Sequence, residues 1–189
     1  MAKQNNKART NSLRIIGGVW RGRKLTFPEV EGLRPTSDRT RETIFNWLQP
    51  SMGGSRCLDL FAGSGALGFE AASRGAAEVV LIENNQQAFL QLKQNADTLK
   101  ASNCVIKNSS ANQAIIESTI PFDIVFIDPP YQADLWTDTA ENLVSQGILS
   151  QGALIYLEYP AKQDMPILPT SWHLLKEKKE GDVKYSLFD

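Results

Sequence analysis

The chain has 189 residues, of which 42% are hydrophobic and 22% charged, with a net charge of −1. This is the composition of a globular protein with enough apolar material for one real core, and it excludes a fibrous or largely unfolded chain. Apolar runs such as Val79–Ile82 and Ile124–Ile127 fall far short of the ~18 residues of a membrane span, and MAKQNNKARTNS at the start has no apolar stretch of the secretory kind.

The balanced total hides an asymmetry. Residues 1–41 hold ten Lys and Arg against three acids, while the other 148 hold ten against eighteen. A basic arm on an acidic body suggests a polyanion met by one end of the molecule. Residues 1–12 read as a disordered basic tail. Over residues 13–27, Ile15, Ile16, Val19, Trp20, Leu25 and Phe27 alternate with Arg14, Arg21, Arg23 and Lys24 around several glycines, which predicts a β-hairpin. The next stretch, RPTSDRTRETIFNWLQP, offers Thr36, Ser37 or Asp38 as a helix N-cap. Ile44, Phe45 and Leu48 follow at helical spacing, and Pro50 is the expected stop. Residues 13–50 thus form a predicted extension of hairpin plus helix, and residues 51–189 the main domain.

That main domain alternates strand and helix. CLDLF, VVLIE, CVIKN, FDIVFID and ALIYLEY read as strands apolar on both faces, with helical segments between them, the signature of a parallel sheet covered on both sides. The final SWHLLKEKKEGDVKYSLFD reads as an antiparallel edge hairpin around Glu180-Gly181-Asp182. Cys57, Cys104 and the single histidine, His173, supply neither a disulfide framework nor zinc spacing nor a His-based triad. A reduced, cytoplasmic protein without a metal is expected.

Residues 58–71, LDLFAGSGALGFEA, place Gly63, Gly65 and Gly68 in a G-x-G-x-x-G pattern after a strand, and Glu83 follows 20 residues after Gly63. Such a loop lets a ligand approach a helix N-terminus, and an acid at the next strand end can accept two ribose hydroxyls. Any adenosine-containing cofactor would suit. Asp59 narrows the choice: a pyrophosphate would be repelled by it, whereas the sulfonium and α-ammonium of S-adenosylmethionine are attracted. The alternative role for Asp59 is to cap a backbone turn.

The stronger signal is Asp128-Pro129-Pro130-Tyr131, which ends the strand FDIVFID 65 residues after Gly63. An exocyclic amino nitrogen is a poor nucleophile because its lone pair is delocalised into the ring. Asp128 and the Pro129 carbonyl can accept its two N–H bonds, and two prolines hold those acceptors in place beforehand. Tyr131 offers a flat face for an extruded base; stacking needs its ring and not its hydroxyl.

With these residues in hand, the chain resembles the bacterial 16S ribosomal RNA guanine-N2 methyltransferase family from Leu13 to the C-terminus. The resemblance rests on RIIGGVWRGRKL, RPTSDRTRETIFNWL, LDLFAGSGALGFEAASRGA, LIENN and DIVFIDPPY, of which the first two blocks are absent from generic amino-methyltransferases. It implies a class I methyltransferase fold, Rossmann-like, with an N-terminal β-hairpin extension. It also implies that Phe61, Ala62, Gly63, Ser64 and Gly65 hold the methionine end of S-adenosylmethionine and that Glu83 and Asn84 hold the ribose. Ser110-Ala111 stand where the family usually has Asp or Asn beside the adenine, so a backbone contact is expected there. Arg21, Arg23, Lys24, Arg39 and Arg41 are expected to form one RNA-binding face beside Tyr131, on a monomer that meets ribosomal RNA or the small subunit. Three other readings compete. A DNA adenine-N6 or cytosine-N4 methyltransferase generally needs a larger target-recognition region. An NAD-dependent oxidoreductase has no use for Asp128-Pro129-Pro130-Tyr131, and a non-catalytic RNA-binding protein has none for the glycine loop.

Overall fold

Nine strands, five α-helices and one 3-10 turn account for the regular structure among the described residues, which are 10–29 and 36–189 of the computed structural model. Strands β1 (Thr10–Arg14) and β2 (Lys24–Pro28) form the expected hairpin, with Leu13 opposite Leu25. The tail expectation for residues 1–9 lies outside the described residues, and residues 10–12 belong to β1 rather than to a tail. Helix α1 (Asp38–Met52) starts at Ser37, whose hydroxyl oxygen accepts the Thr40 N–H at 3.0 Å. It does not stop at Pro50 but continues to Met52. A proline in a helix's last turn already has a helical φ and removes only one hydrogen bond. The expected division of the chain at residue 50 therefore falls inside α1.

From there the chain alternates as read: β3 (Arg56–Asp59), α2 (Ala66–Ser73), β4 (Glu78–Glu83), α3 (Gln86–Leu99), β5 (Cys104–Asn108), α4 (Ala111–Glu117), β6 (Phe122–Ile127), α5 (Trp136–Ser145) and β7 (Leu149–Pro160). The hairpin β8 (Leu174–Glu180) and β9 (Val183–Phe188) follows. These strands make one seven-stranded sheet in the order β5-β4-β3-β6-β7-β9-β8. The first five are parallel, and β9 inserts antiparallel between β7 and β8.

Strand alternation sends Cys57, Leu81, Ile124 and Phe126 to one face and Leu58, Val80, Val125 and Ile127 to the other. The hairpin, α1, α2 and α3 cover the first face, and α4 and α5 cover the second. Leu13, Leu25 and Phe27 of the hairpin share a core with the sheet, so the N-terminal extension is packed as part of the domain.

Helix α2 is buried along its whole length, because the N-terminal segment covers its outer side. Its two polar residues account for that segment's backbone. Glu70 accepts the N–H groups of Ile16 and Gly17, each at 2.8 Å, and receives Arg74 Nε at 2.7 Å and Arg41 Nη1 at 3.4 Å. Ser73 accepts Val19 N–H at its carbonyl (2.8 Å) and Trp20 N–H at its hydroxyl (2.9 Å). Gly18, at φ +76°, makes this approach possible, since a Cβ there would lie 1.9 Å from the Ser73 carbonyl oxygen. Removing one member of a buried ion cluster leaves the other charge unpaired. Glu70→Ala is therefore expected to lower the unfolding free energy by about 3–5 kcal/mol in urea titrations. Asp38, 74% exposed at the outer end of the same cluster, should cost less than ~1 kcal/mol on conversion to alanine. Equal losses would show that Glu70 is not the anchor.

Candidate active site

Strand order reverses between β3 and β6, and the loops leaving these two strands open into one crevice, the place where open α/β sheets bind ligands. The glycine loop lines one side. Gly65 caps α2 at φ +79°, where a Cβ would come within 2.5 Å of the Phe69 ring, so the sharp entry to α2 requires glycine. Asp59 ends β3, is 3% exposed, and accepts Gly68 N–H at 2.9 Å and the Phe61 N–H. It does cap the turn, and in doing so it is held beneath Phe61, Ala62, Gly63, Ser64 and Gly65. Burial pushes its carboxyl up to about 7, the Gly68 and Phe61 amides oppose that, and neighbouring Glu83 adds to it.

Glu83 ends β4. One of its oxygens accepts Gly63 N–H at 2.8 Å and the other Asn85 N–H at 2.7 Å, so the carboxylate is aimed before any ligand arrives. Asn84 is exposed beside it. The Ser109 N–H and Asn108 side chain both bond to the Glu83 carbonyl, drawing the loop after β5 to the same rim. There Ser110 uses its hydroxyl to cap α4, accepting Gln113 N–H at 3.3 Å, and Ala111 is buried. Ser110's side chain is thus engaged with its own helix, leaving backbone for an adenine. A glycine-bearing turn, a buried acid below it and a fixed carboxylate for two hydroxyls together fit S-adenosylmethionine.

Asp128, Pro129, Pro130 and Tyr131 line the other side. Asp128 is half-buried directly beyond Ile127, and its carboxyl is held well above the usual range by burial, then by the charges of Glu158 and Asp59. Tyr131 opens a single 3-10 turn (Tyr131–Ala133). Its ring lies 6.1 Å from that of Trp136, tilted 36°, and its hydroxyl donates to Glu158 at 3.0 Å. The hydroxyl, expected to be idle, helps to orient the ring. Sequence reasoning passed over Glu158, whose signal is a lone acid near the end of the apolar strand ALIYLEY.

The basic residues do not make the single face that the sequence suggested. Arg41 is fully buried, bonded to Asp38, Glu70 and the Arg14 carbonyl, and cannot meet a phosphate. Arg21 and Arg23 are exposed but stand at the far end of the sheet from Tyr131. Their loop is pinned to Ser73, and Arg23 Nη2 bonds the Thr98 carbonyl; both partners lie at the tail ends of helices whose starts face the crevice. Helix α2 alone, at 1.5 Å per residue, separates them from the site by about 12 Å. Lys24 is exposed midway on the hairpin, opposite Arg14. Arg39 alone is exposed at the site end, on the first turn of α1, where Ser37 and Thr40 bond Glu180.

This fold and crevice define the class: an S-adenosylmethionine-dependent methyltransferase with a Rossmann-like sheet. Residues 13–189 match the model of the family described as conserved hypothetical protein 95. Ribosomal RNA small subunit methyltransferase D of Escherichia coli strain K12 is 47% identical over 186 residues, covering 98% of this chain and 94% of that one. Its namesake from Haemophilus influenzae is 47% identical over 181 residues, 93% of each chain. Among solved structures, the putative methyltransferase yhhF from Escherichia coli superposes with a TM-score of 0.88 at 46% identity, over 94% of this chain and 97% of that one. The chain belongs to this family of ribosomal RNA small subunit methyltransferases.

A cation placed beside Asp59 would favour its ionised form, so S-adenosylmethionine bound there below about pH 7 should expel the proton that burial retains. Affinity is expected to rise with pH between roughly 5 and 7 and then level off, and Asp59→Asn should flatten the profile. Calorimetry in buffers of different ionisation enthalpy measures the proton directly. Proton uptake, or no release, at pH 6 would remove Asp59 from the cation contact.

Proposed function

We propose that the protein transfers a methyl group to the exocyclic N2 amino group of one guanosine in 16S ribosomal RNA. The observation that carries this reading is the position of Asp128-Pro129-Pro130-Tyr131 at the end of β6, across the crevice from the glycine loop after β3. S-adenosylmethionine, when bound, supplies an activated methyl group on a sulfonium. Gly63 and Gly65 give its methionine end close access to backbone, Asp59 attracts its cationic centres, Glu83 accepts the ribose hydroxyls, and the backbone at Ser110 and Ala111 borders the adenine. Asp128 and the Pro129 carbonyl accept the two hydrogens of the target amino group, so its lone pair turns out of the ring plane toward the methyl donor. Tyr131 stacks on the extruded base.

The relatives' names, which specify ribosomal RNA of the small subunit, support that substrate. Ribosomal RNA, free or in an assembling subunit, is the partner, met in the cytoplasm by a monomer. Mass mapping of nucleosides in 16S RNA tests the reading: cells without the protein should lack one N2-methylguanosine, and purified protein should restore it. An unchanged RNA would overturn it.

Asp128→Ala should lower kcat by about 10²–10³, with the affinity for S-adenosylmethionine retained because Gly63, Gly65 and Glu83 are untouched. Single-turnover methylation within tenfold of wild type would deprive Asp128 of its role.

Arg21, Arg23, Lys24 and Arg39 are the exposed cations of this set, and they hold phosphates from the rim of the crevice down the hairpin side. RNA lying there extends well past the target base. Replacing Arg21, Arg23 and Lys24 by Ala should reduce the slope of log K against log salt by roughly two, at about 0.7 per phosphate contact. An unchanged slope in a folded variant would show that RNA keeps away from the hairpin.

A further inference from the structure

Strand β7 presents one acid in its apolar run, Glu158, which is 6% exposed. The parallel register pairs Ile127 of β6 with Leu157 of β7, so the next residues, Asp128 just past the end of β6 and Glu158 two residues before the end of β7, stand side by side. Glu158 also holds the stacking surface. Its side chain accepts the Tyr131 hydroxyl at 3.0 Å and the Tyr156 hydroxyl at 2.7 Å, and its carbonyl accepts Trp136 Nε1–H at 2.7 Å. A carboxylate offers about four acceptor positions.

Two neighbouring carboxylates make a demanding template for a base edge. Guanine presents its N2 amino group next to a second donor, N1–H. Adenine sets its amino group beside the bare N1 lone pair, and cytosine sets its own beside the bare N3 lone pair. Lone pair against carboxylate is repulsive, and a buried acceptor without a donor loses its hydrogen bond.

We infer that Glu158 is a specificity-determining residue, accepting the guanine N1–H while Asp128 accepts an N2 hydrogen, so that the pair selects guanine over adenine and cytosine. This rests on the guanine-N2 reading and adds to it the group that recognises the base. It also gives Glu158 two tasks, since the carboxylate that reads N1–H is the one that fixes the plane on which the base lies.

The test uses target RNA in which the acceptor guanosine is replaced by 2-aminopurine, which keeps the N2 amino group but carries an unprotonated N1. Wild-type protein should methylate guanosine RNA over 2-aminopurine RNA by at least about a hundredfold in kcat/KM, given how strongly a site built for a hydrogen bond rejects an analogue lacking it. Glu158→Gln places an amide N–H where N1 can accept it and should narrow that ratio by roughly tenfold or more. Its S-adenosylmethionine affinity and melting temperature serve as controls. A wild-type ratio near one overturns the inference, whether or not the variant folds, as does a folded Glu158→Gln with an unchanged ratio. Should the Gln variant not fold, Tyr131→Phe, which keeps the carboxylate, must preserve the wild-type ratio, and its loss would also overturn the inference. Failure of wild-type protein to methylate N2 of guanosine RNA at all would instead defeat the proposed reaction.

Discussion

Glu70 is buried among two backbone amides and two guanidinium groups, and this cluster joins the beginning of the chain to the methyltransferase sheet. Taking such charges out of water costs several kcal/mol per ion, and the cost is offset only when every partner is in place. The hairpin loop, α1 and α2 therefore dock together or not at all. Glu70 and Ser73 sit in the later part of a helix that begins at Gly65, so the glycine loop is anchored from behind by the N-terminal segment. The segment that presents exposed cations also braces the cofactor loop.

The crevice gathers acids from separate strand ends: Asp59, Glu83, Asp128 and Glu158. Burial and mutual repulsion push the carboxyls of Asp59 and Asp128 upward. Before binding, such a site is electrostatically strained; a cationic cofactor and a base edge made of donors relieve that strain. Hydrogen bonds from Gly63, Asn85 and Gly68 hold two of these carboxylates in position, so little reorganisation remains for the bound state. The same crowding explains the phenols, since Tyr131 and Tyr156 each give a hydrogen to Glu158 where water is scarce.

Much of this could be read in the sequence. Doubly apolar runs gave away the parallel strands, the glycine spacing marked the turn into α2, and Asp-Pro-Pro-Tyr marked the end of β6. Arg39 and Arg41 show the limit of such reading. Helical spacing puts Arg41 on the apolar face with Phe45 and Leu48 and turns Arg39 away from it, but only the fold shows that Glu70, 29 residues along the chain, receives the buried guanidinium there. Pro50 misled for a related reason: a proline breaks a helix interior, but whether a position is interior depends on where the helix ends.

Sequence by itself determined the succession of strands and helices, the cofactor loop and the base-binding tetrapeptide, because periodicity, turn chemistry and short motifs depend on neighbours within a few residues. Tertiary structure alone decided which acid meets the buried Arg41, where the hairpin loop lies, and that Glu158 stands beside Asp128. Those outcomes rest on contacts between residues 29 to 75 positions apart, such as Arg41 with Glu70, Gly17 with Glu70 and Arg23 with Thr98, and on strand pairing across the sheet. The fate of a charge is set by what surrounds it in space, which no local pattern specifies.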